Sequence, residues 1–203
     1  ELSRDGVTLR EALVSAGYRT EALKNVKRDD IRAIVELHIE QGPVLESEQK
    51  QIGIVDSIVG IVNYELTIQG SQNHAGTTSM SLRHDPVVAA AEFITESTRQ
   101  MMAQAPSATL TYGAIQVFPG MQNVIADRVN LLIDLRDGSN EELLQDVVLL
   151  KRVLESIERK GFQTQLRQND WLESVQMDPN VIRVIERHCE EKHLAYKHMN
   201  SGA

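Results

Sequence analysis

The chain has 203 residues, 41% of them hydrophobic and 25% charged, enough for one large domain or two small ones with a buried core. Its net charge of −8, with no basic block, argues against a nucleic-acid partner, and no apolar run is long enough for a membrane helix. Cys189, the single cysteine, excludes an internal disulfide and reads as a bystander on a polar helix, so a cytoplasmic, reducing setting is the default.

In chain order, residues 8–16 ("TLREALVSA") predict a short helix closed by Gly17, and residues 18–30 are charged and irregular. "AIVELHIEQGP", residues 33–43, alternates as a strand. Val35, Leu37 and Ile39 share one face expected to be buried, with Glu36, His38 and Glu40 on the other. A brief helical turn ("GPVLESEQ") and a β-branched run ("IGIVDSIVGIV") follow, then a strand in "NYELTIQG". "DPVVAAAEFITESTRQMMAQ" predicts a helix with Asp85 as N-cap and Pro86 at its first position. "ATLTYGAIQVF" and "DRVNLLIDLRD" predict strands. The next helix opens with a capping box, Ser139 to Glu142, and carries a stripe of Leu143, Val147, Leu150, Leu154 and Ile157 up to Gly161. "FQTQLRQ" predicts the last strand of this run. A helix from Asp178-Pro179 and a closing strand in "AYKHMN" complete the chain.

From residue 61 to about 170 the order is therefore β-α-β-β-α-β, the ferredoxin-like plan of helices on one face of an antiparallel sheet. The flanks read as pieces of a larger α/β domain into which that unit is inserted. This divides the chain into 1–60, 61–172 and 173–203. Both ends look abrupt, as if the segment were cut from something longer.

Four stretches carry residues suited to chemistry. His38 sits two residues from an acid and just before a Gly-Pro break, where ligands enter open α/β sheets; from spacing alone a hydrogen-bonded core histidine is the favoured reading, since one His does not make a metal site. "GSQNHAGTTSMSLRHDP" is a loop dense in hydrogen-bonding groups that presents His74 to a ligand or merely to solvent. "FPGMQNVIAD" presents Asn123 after a Pro-Gly turn. Arg136 ends an apolar strand, free to hold a carboxylate bidentately or to pair with Asp134 or Asp137.

Together, "ELHIEQGPVLE", "NHAGTTSMSLRHDP", "FPGMQNVIADRV", "DLRDG" and "MNSGA" resemble, in order, the N-carbamoyl-L-amino-acid hydrolase and allantoate amidohydrolase family of dinuclear-metal enzymes. That resemblance implies an α/β metallohydrolase catalytic domain with an inserted ferredoxin-like lid that also makes a homodimer. It implies His38 as a metal ligand, Gln41 near the substrate, His74 at the reaction centre, and Asn123 with Arg136 on the substrate carboxylate. It further implies two divalent ions, zinc or manganese foremost with cobalt or nickel also suited. The implied substrate is a ureido acid, an N-carbamoyl-L-amino acid first and allantoate second. The family's remaining metal ligands and general base are expected beyond both ends, so the segment alone is expected to hydrolyse nothing. Ser79 and Ala126 stand where the family commonly has proline. The reading from a different class is a binding or dimerisation module without chemistry of its own.

Overall fold

The computed structural model describes residues 6–23 and 29–202, which fall into two compact units, residues 1–39 and 40–203. In the first unit, helix α1 (Leu9–Ser15) is fixed by a capping box. The Thr8 hydroxyl accepts from Glu11 N–H at 3.2 Å, and the Glu11 carboxylate accepts from Thr8 N–H at 2.8 Å. One turn of helix, α2 (Thr20–Leu23), follows. The predicted strand over 33–40 is not formed: these residues have no regular structure, and Leu37 is 93% and Ile34 80% exposed. A strand exists only through partner hydrogen bonds, and among the described residues nothing pairs with this segment. Its alternation is thus the pattern of a strand without its neighbours.

The second unit opens with α3 (Val44–Ser47), whose first amides are held by the Glu40 carboxylate, at 2.8 Å from Val44 N and 2.9 Å from Leu45 N. Glu40 is therefore a helix cap, not part of a polar cluster on a strand. The strands and helices that follow are β1 (Ile52–Ile58), β2 (Gly60–Gln69), β3 (Asn73–His74), α4 (Pro86–Gln104), β4 (Thr109–Phe118), β5 (Val124–Ile125), β6 (Arg128–Asp137), α5 (Asn140–Glu158), β7 (Gln163–Leu172), β8 (Val175–Gln176), α6 (Pro179–Glu191) and β9 (Tyr196–Ser201).

Four of them form an antiparallel sheet in the order β4-β6-β2-β7. Alternation sorts its two faces. Val62, Tyr64, Leu66 and Ile68 of β2, with Val129, Leu131, Ile133 and Leu135 of β6, point into the core. There they meet Ala89, Phe93 and Met101 of α4 and the predicted stripe of α5. The opposite face is a polar ladder, in which Asn63 donates to Asp134 at 3.0 Å, Thr67 to Asn130 at 3.2 Å, and Arg167 pairs with Glu65. Each helix starts where its capping residue dictates. Asp85 accepts from Val87 N–H at 2.9 Å, and Ser139 accepts from Glu142 N–H at 3.1 Å. The capping box expected at α5 is half formed: the Glu142 carboxylate takes the Ser139 hydroxyl at 2.8 Å in place of the Ser139 backbone N–H.

A smaller sheet, β8-β1-β9, pairs β1 with β9 in parallel and with β8 antiparallel. Helix α6 packs on β1, and Cys189, unpaired, is buried on that helix. The two sheets meet at Gly138. Its carbonyl accepts from Ser57 Oγ at 2.9 Å and Gln176 Nε2 at 3.2 Å, while Ser57 Oγ also bonds Asn200 Oδ1 at 3.0 Å. A Cβ at position 138 would collide with the Asn200 amide, which is why the Asp-Gly pair ends β6 there. Among the described residues no helix is long and apolar enough to cross a membrane.

Candidate functional site

The loop from Gly70 to Asp85 folds back on the one carrying Asn123. Strands β3 and β5 form a two-residue ladder, Asn73 opposite Ile125 and His74 opposite Val124, and Ala75 N–H continues it to Asn123 O at 3.0 Å. His74 and Asn123 thereby belong to one short ladder, His74 opposite Val124 and Asn123 opposite Ala75, both exposed. The His74 ring is oriented locally: its Nδ1 accepts from Gly76 N–H at 3.0 Å. That bond fixes the neutral tautomer with the proton on Nε2, so the ring presents an N–H donor outward. The His74 carbonyl takes the Thr78 hydroxyl at 2.8 Å and Thr78 N–H at 3.2 Å. Ser79 lies outside this ladder with φ −63°, close to the angle a proline would impose.

Arg136 lies at the other end of the sheet. It is eight positions further along β6 than Arg128, which pairs with Gln69 at the His74 end; at the usual strand rise that is about 26 Å. Its guanidinium grips Asp134 with two bonds, Nε to Oδ1 at 2.7 Å and Nη2 to Oδ2 at 3.1 Å, and Nη1 donates to Gly202 O at 2.9 Å. Burial raises the Asp134 pKa, but the bonds from Arg136 and Asn63 outweigh it, leaving the carboxyl below its usual range. The same pair raises the pKa of Arg136. The predicted neighbour pairing thus occurs, with Asp134 as the partner.

Gln41 is exposed just before α3, with φ 55°, in the left-handed region a non-glycine residue enters at a cost. Helix α3 sits beside β9 through the Glu48–Lys197 ion pair at 2.5 Å. His38 belongs to the first unit. It is exposed, and its Nδ1 lies 2.6 Å from Ile39 O. A carbonyl only accepts, so Nδ1 carries the proton and Nε2 keeps its lone pair, the tautomer a metal-binding imidazole needs. One donor does not make a site, and among the described residues no group of three or more His, Cys, Asp or Glu could hold a metal ion. The described residues therefore offer one suitable donor and do not complete a metal centre.

Three further described histidines have structural partners. His84 stacks on Phe162 at 3.9 Å between centroids, and His188 Nδ1 bonds Val184 O at 2.7 Å. His198 bridges Asp56 at 2.7 Å and Glu186 at 2.9 Å, and these carboxylates raise its pKa. Sequence reasoning missed Arg83, whose guanidinium is bonded to two carbonyls of the His74 loop. Its only signal was a cation placed nine residues after His74 in a polar loop.

The peptidase dimerisation domain family matches residues 57–161. An N-carbamoyl-L-amino-acid amidohydrolase of Paenarthrobacter aurescens is 34% identical over 208 residues, covering 100% of this chain and 50% of that protein. An allantoate amidohydrolase of Bacillus subtilis is 35% identical over 201 residues, covering 98% of this chain and 48% of that protein. A crystal structure of an amidase of the hydantoinase/carbamoylase family from Burkholderia phymatum superposes with a TM-score of 0.87 at 30% identity, over 100% of this chain and 51% of that one. The chain spans about half the length of the curated relatives it matches. By sequence and by fold, it belongs to the M20 peptidase dimerisation domain family, among relatives of the hydantoinase/carbamoylase group.

Proposed function

We propose that the chain is the central part of a metal-dependent amidohydrolase that cleaves the ureido C–N bond of a carbamoylated acid, an N-carbamoyl-L-amino acid in first place and allantoate in second. The observation that carries this reading is the match along the whole chain to relatives named for those two activities. In this reading residues 61–172 are a ferredoxin-like lid and dimerisation domain, and the flanks belong to a catalytic domain. The strand order β4-β6-β2-β7 supports the ferredoxin-like part of that reading, because a β-α-β-β-α-β chain with its first and third strands at the centre has that topology.

The residues then take distinct tasks. The outward Nε2–H of His74 is placed to donate to a developing oxyanion, and the Asn123 amide joins Arg136 on the substrate carboxylate. Arg136 meets the carboxylate with the N–H groups that remain, because Asp134 holds its Nε and Nη2 and Gly202 O takes one donor of Nη1. A ureido acid is far shorter than the separation between Arg136 and His74 along β6. If all three groups serve one substrate, His74 and Asn123 must come from a second copy of the chain, which fits a domain of the dimerisation family. The whole protein would hold divalent metal, zinc or manganese first, with His38 as one donor and Gln41 near the substrate.

A second reading, a dimerisation module without chemistry, is favoured by the incomplete metal donor set of the described residues. Metal analysis of the full-length protein separates the two. Bound divalent metal that is lost in His38→Ala, with turnover of a panel of N-carbamoyl-L-amino acids and allantoate, supports the enzyme; absence of metal and of turnover with every ion supplied leaves the module.

A further inference from the structure

Resting on that reading, we propose that Arg83 is a positioning residue, the clamp that sets His74 and Asn123 relative to each other. The His74 loop and the 117–126 segment border an open groove of about 410 Å³, lined by Ala75, Arg83, Met121, Gln122, Val124 and Ala126 among others. A groove open to solvent gives the loop little side-chain packing on that side, so hydrogen bonds carry much of its placement.

Those bonds converge on one residue. Ala75, directly after His74, has both of its backbone groups engaged: its N–H donates to Asn123 O at 3.0 Å, and its C=O accepts from Arg83 Nη2 at 2.6 Å. The second arm of the same guanidinium, Nε, reaches Thr78 O at 3.2 Å. Thr78 in turn holds the His74 carbonyl through its hydroxyl at 2.8 Å. Arg83 thus closes the turn at both ends, 75 and 78, and the turn contains the Gly76 N–H that selects the His74 tautomer. Charge-assisted bonds to carbonyls are about twice as strong as neutral ones, and a planar fork addresses two acceptors at once. Lysine, a single point charge, cannot hold both carbonyls in those directions. The guanidinium is half-buried under the loop and already spent on the backbone, so its effect on a ligand runs through His74 and Asn123.

The test uses the full-length, metal-loaded protein and the variants Arg83→Lys, Arg83→Gln, His74→Ala and the Arg83→Lys/His74→Ala double variant. Two readouts are taken: kcat/KM on the preferred ureido acid, and amide hydrogen exchange at Gly76 and Thr78. Arg83→Lys is expected to lower kcat/KM about 10- to 100-fold, the usual cost of displacing a catalytic group by about an ångström. In the His74→Ala background the same substitution is expected to cost much less, because of the two groups it positions only Asn123 remains. Exchange at Gly76 and Thr78 is expected to speed up about tenfold or more, as for loss of a charge-assisted bond. Arg83→Gln, which loses the charge and keeps only the two N–H donors of a shorter amide, is expected to fall at least as far as Arg83→Lys and serves if the lysine variant does not fold. Parent-like exchange at Gly76 and Thr78 overturns the positioning role whatever the activity. An equal fall in kcat/KM with and without His74 also overturns it, since Arg83 would then act independently. Full activity of His74→Ala contradicts the functional reading alone, and the exchange result still decides the role of Arg83.

Discussion

Asp146 of α5 faces Asp137 at the end of β6, both buried, at 4% and 1% exposure. Asp137 is satisfied, accepting from the Ser107 hydroxyl at 3.0 Å and from Gly138 N–H. Asp146 Oδ2 has no hydrogen-bond partner. Burial, then the neighbouring Asp137 carboxyl and the charge of Glu142, push the Asp146 pKa up to about 7. The folded state therefore holds a proton that the unfolded chain gives up near the ordinary value of 3.8. Stability from this group is complete below that value and is lost as pH rises to about 7. Asp146→Asn removes the titration, so it is expected to raise Tm at pH 8 and to change it little at pH 4. Thermal unfolding across that range checks both; equal effects at the two pH values would contradict a buried, protonated Asp146.

Gly138 is where the two sheets touch. Gly138→Ala drives a Cβ into the Asn200 amide and disturbs the bonds from Ser57 and Gln176. Overpacking of this kind costs about 1–3 kcal/mol, which urea unfolding at constant m-value measures.

Ser79 already has the backbone angle of a proline, φ −63°. Ser79→Pro is expected to stabilise the protein by about 0.4–1 kcal/mol, chiefly by stiffening the unfolded chain. A rise in Tm without loss of turnover is the expected result.

Arg136→Ala removes the proposed carboxylate grip and leaves Asp134 without its guanidinium. The expected loss in kcat/KM is about 10- to 100-fold, carried mainly by KM, as for a charge-assisted bond to substrate. The Asp134 pKa is expected to rise, since that guanidinium is the chief group lowering it. Steady-state kinetics on the ureido acid panel read the first effect, and carboxyl titration by NMR the second.

Much of the four-stranded unit was legible in the sequence because its partners are all present. Asp85 and Ser139 announce their helices, and the stripe from Leu143 to Ile157 is buried as its spacing required. The 33–40 segment was misread because alternation reports which faces want burial, not whether a partner strand exists. Leu37 and Ile39 carry the pattern yet stay exposed. The candidate site was legible only as separate motifs. Nothing in the spacing of His74, Asn123 and Arg136 says that the first two share a ladder while the third lies at the far end of β6. Arg83 was invisible for a similar reason: its partners are backbone carbonyls, which no side-chain motif encodes.

The proposed ureido-acid site draws Arg136 from one copy of the chain and His74 with Asn123 from another. Mixing full-length His74→Ala and Arg136→Ala variants, each inactive or nearly so, and exchanging subunits tests it directly. Random pairing places one intact set in every heterodimer, so about a quarter of the parent turnover on an N-carbamoyl-L-amino acid should return. Turnover no greater than the sum of the two separate variants, with subunit exchange verified, would contradict the claim.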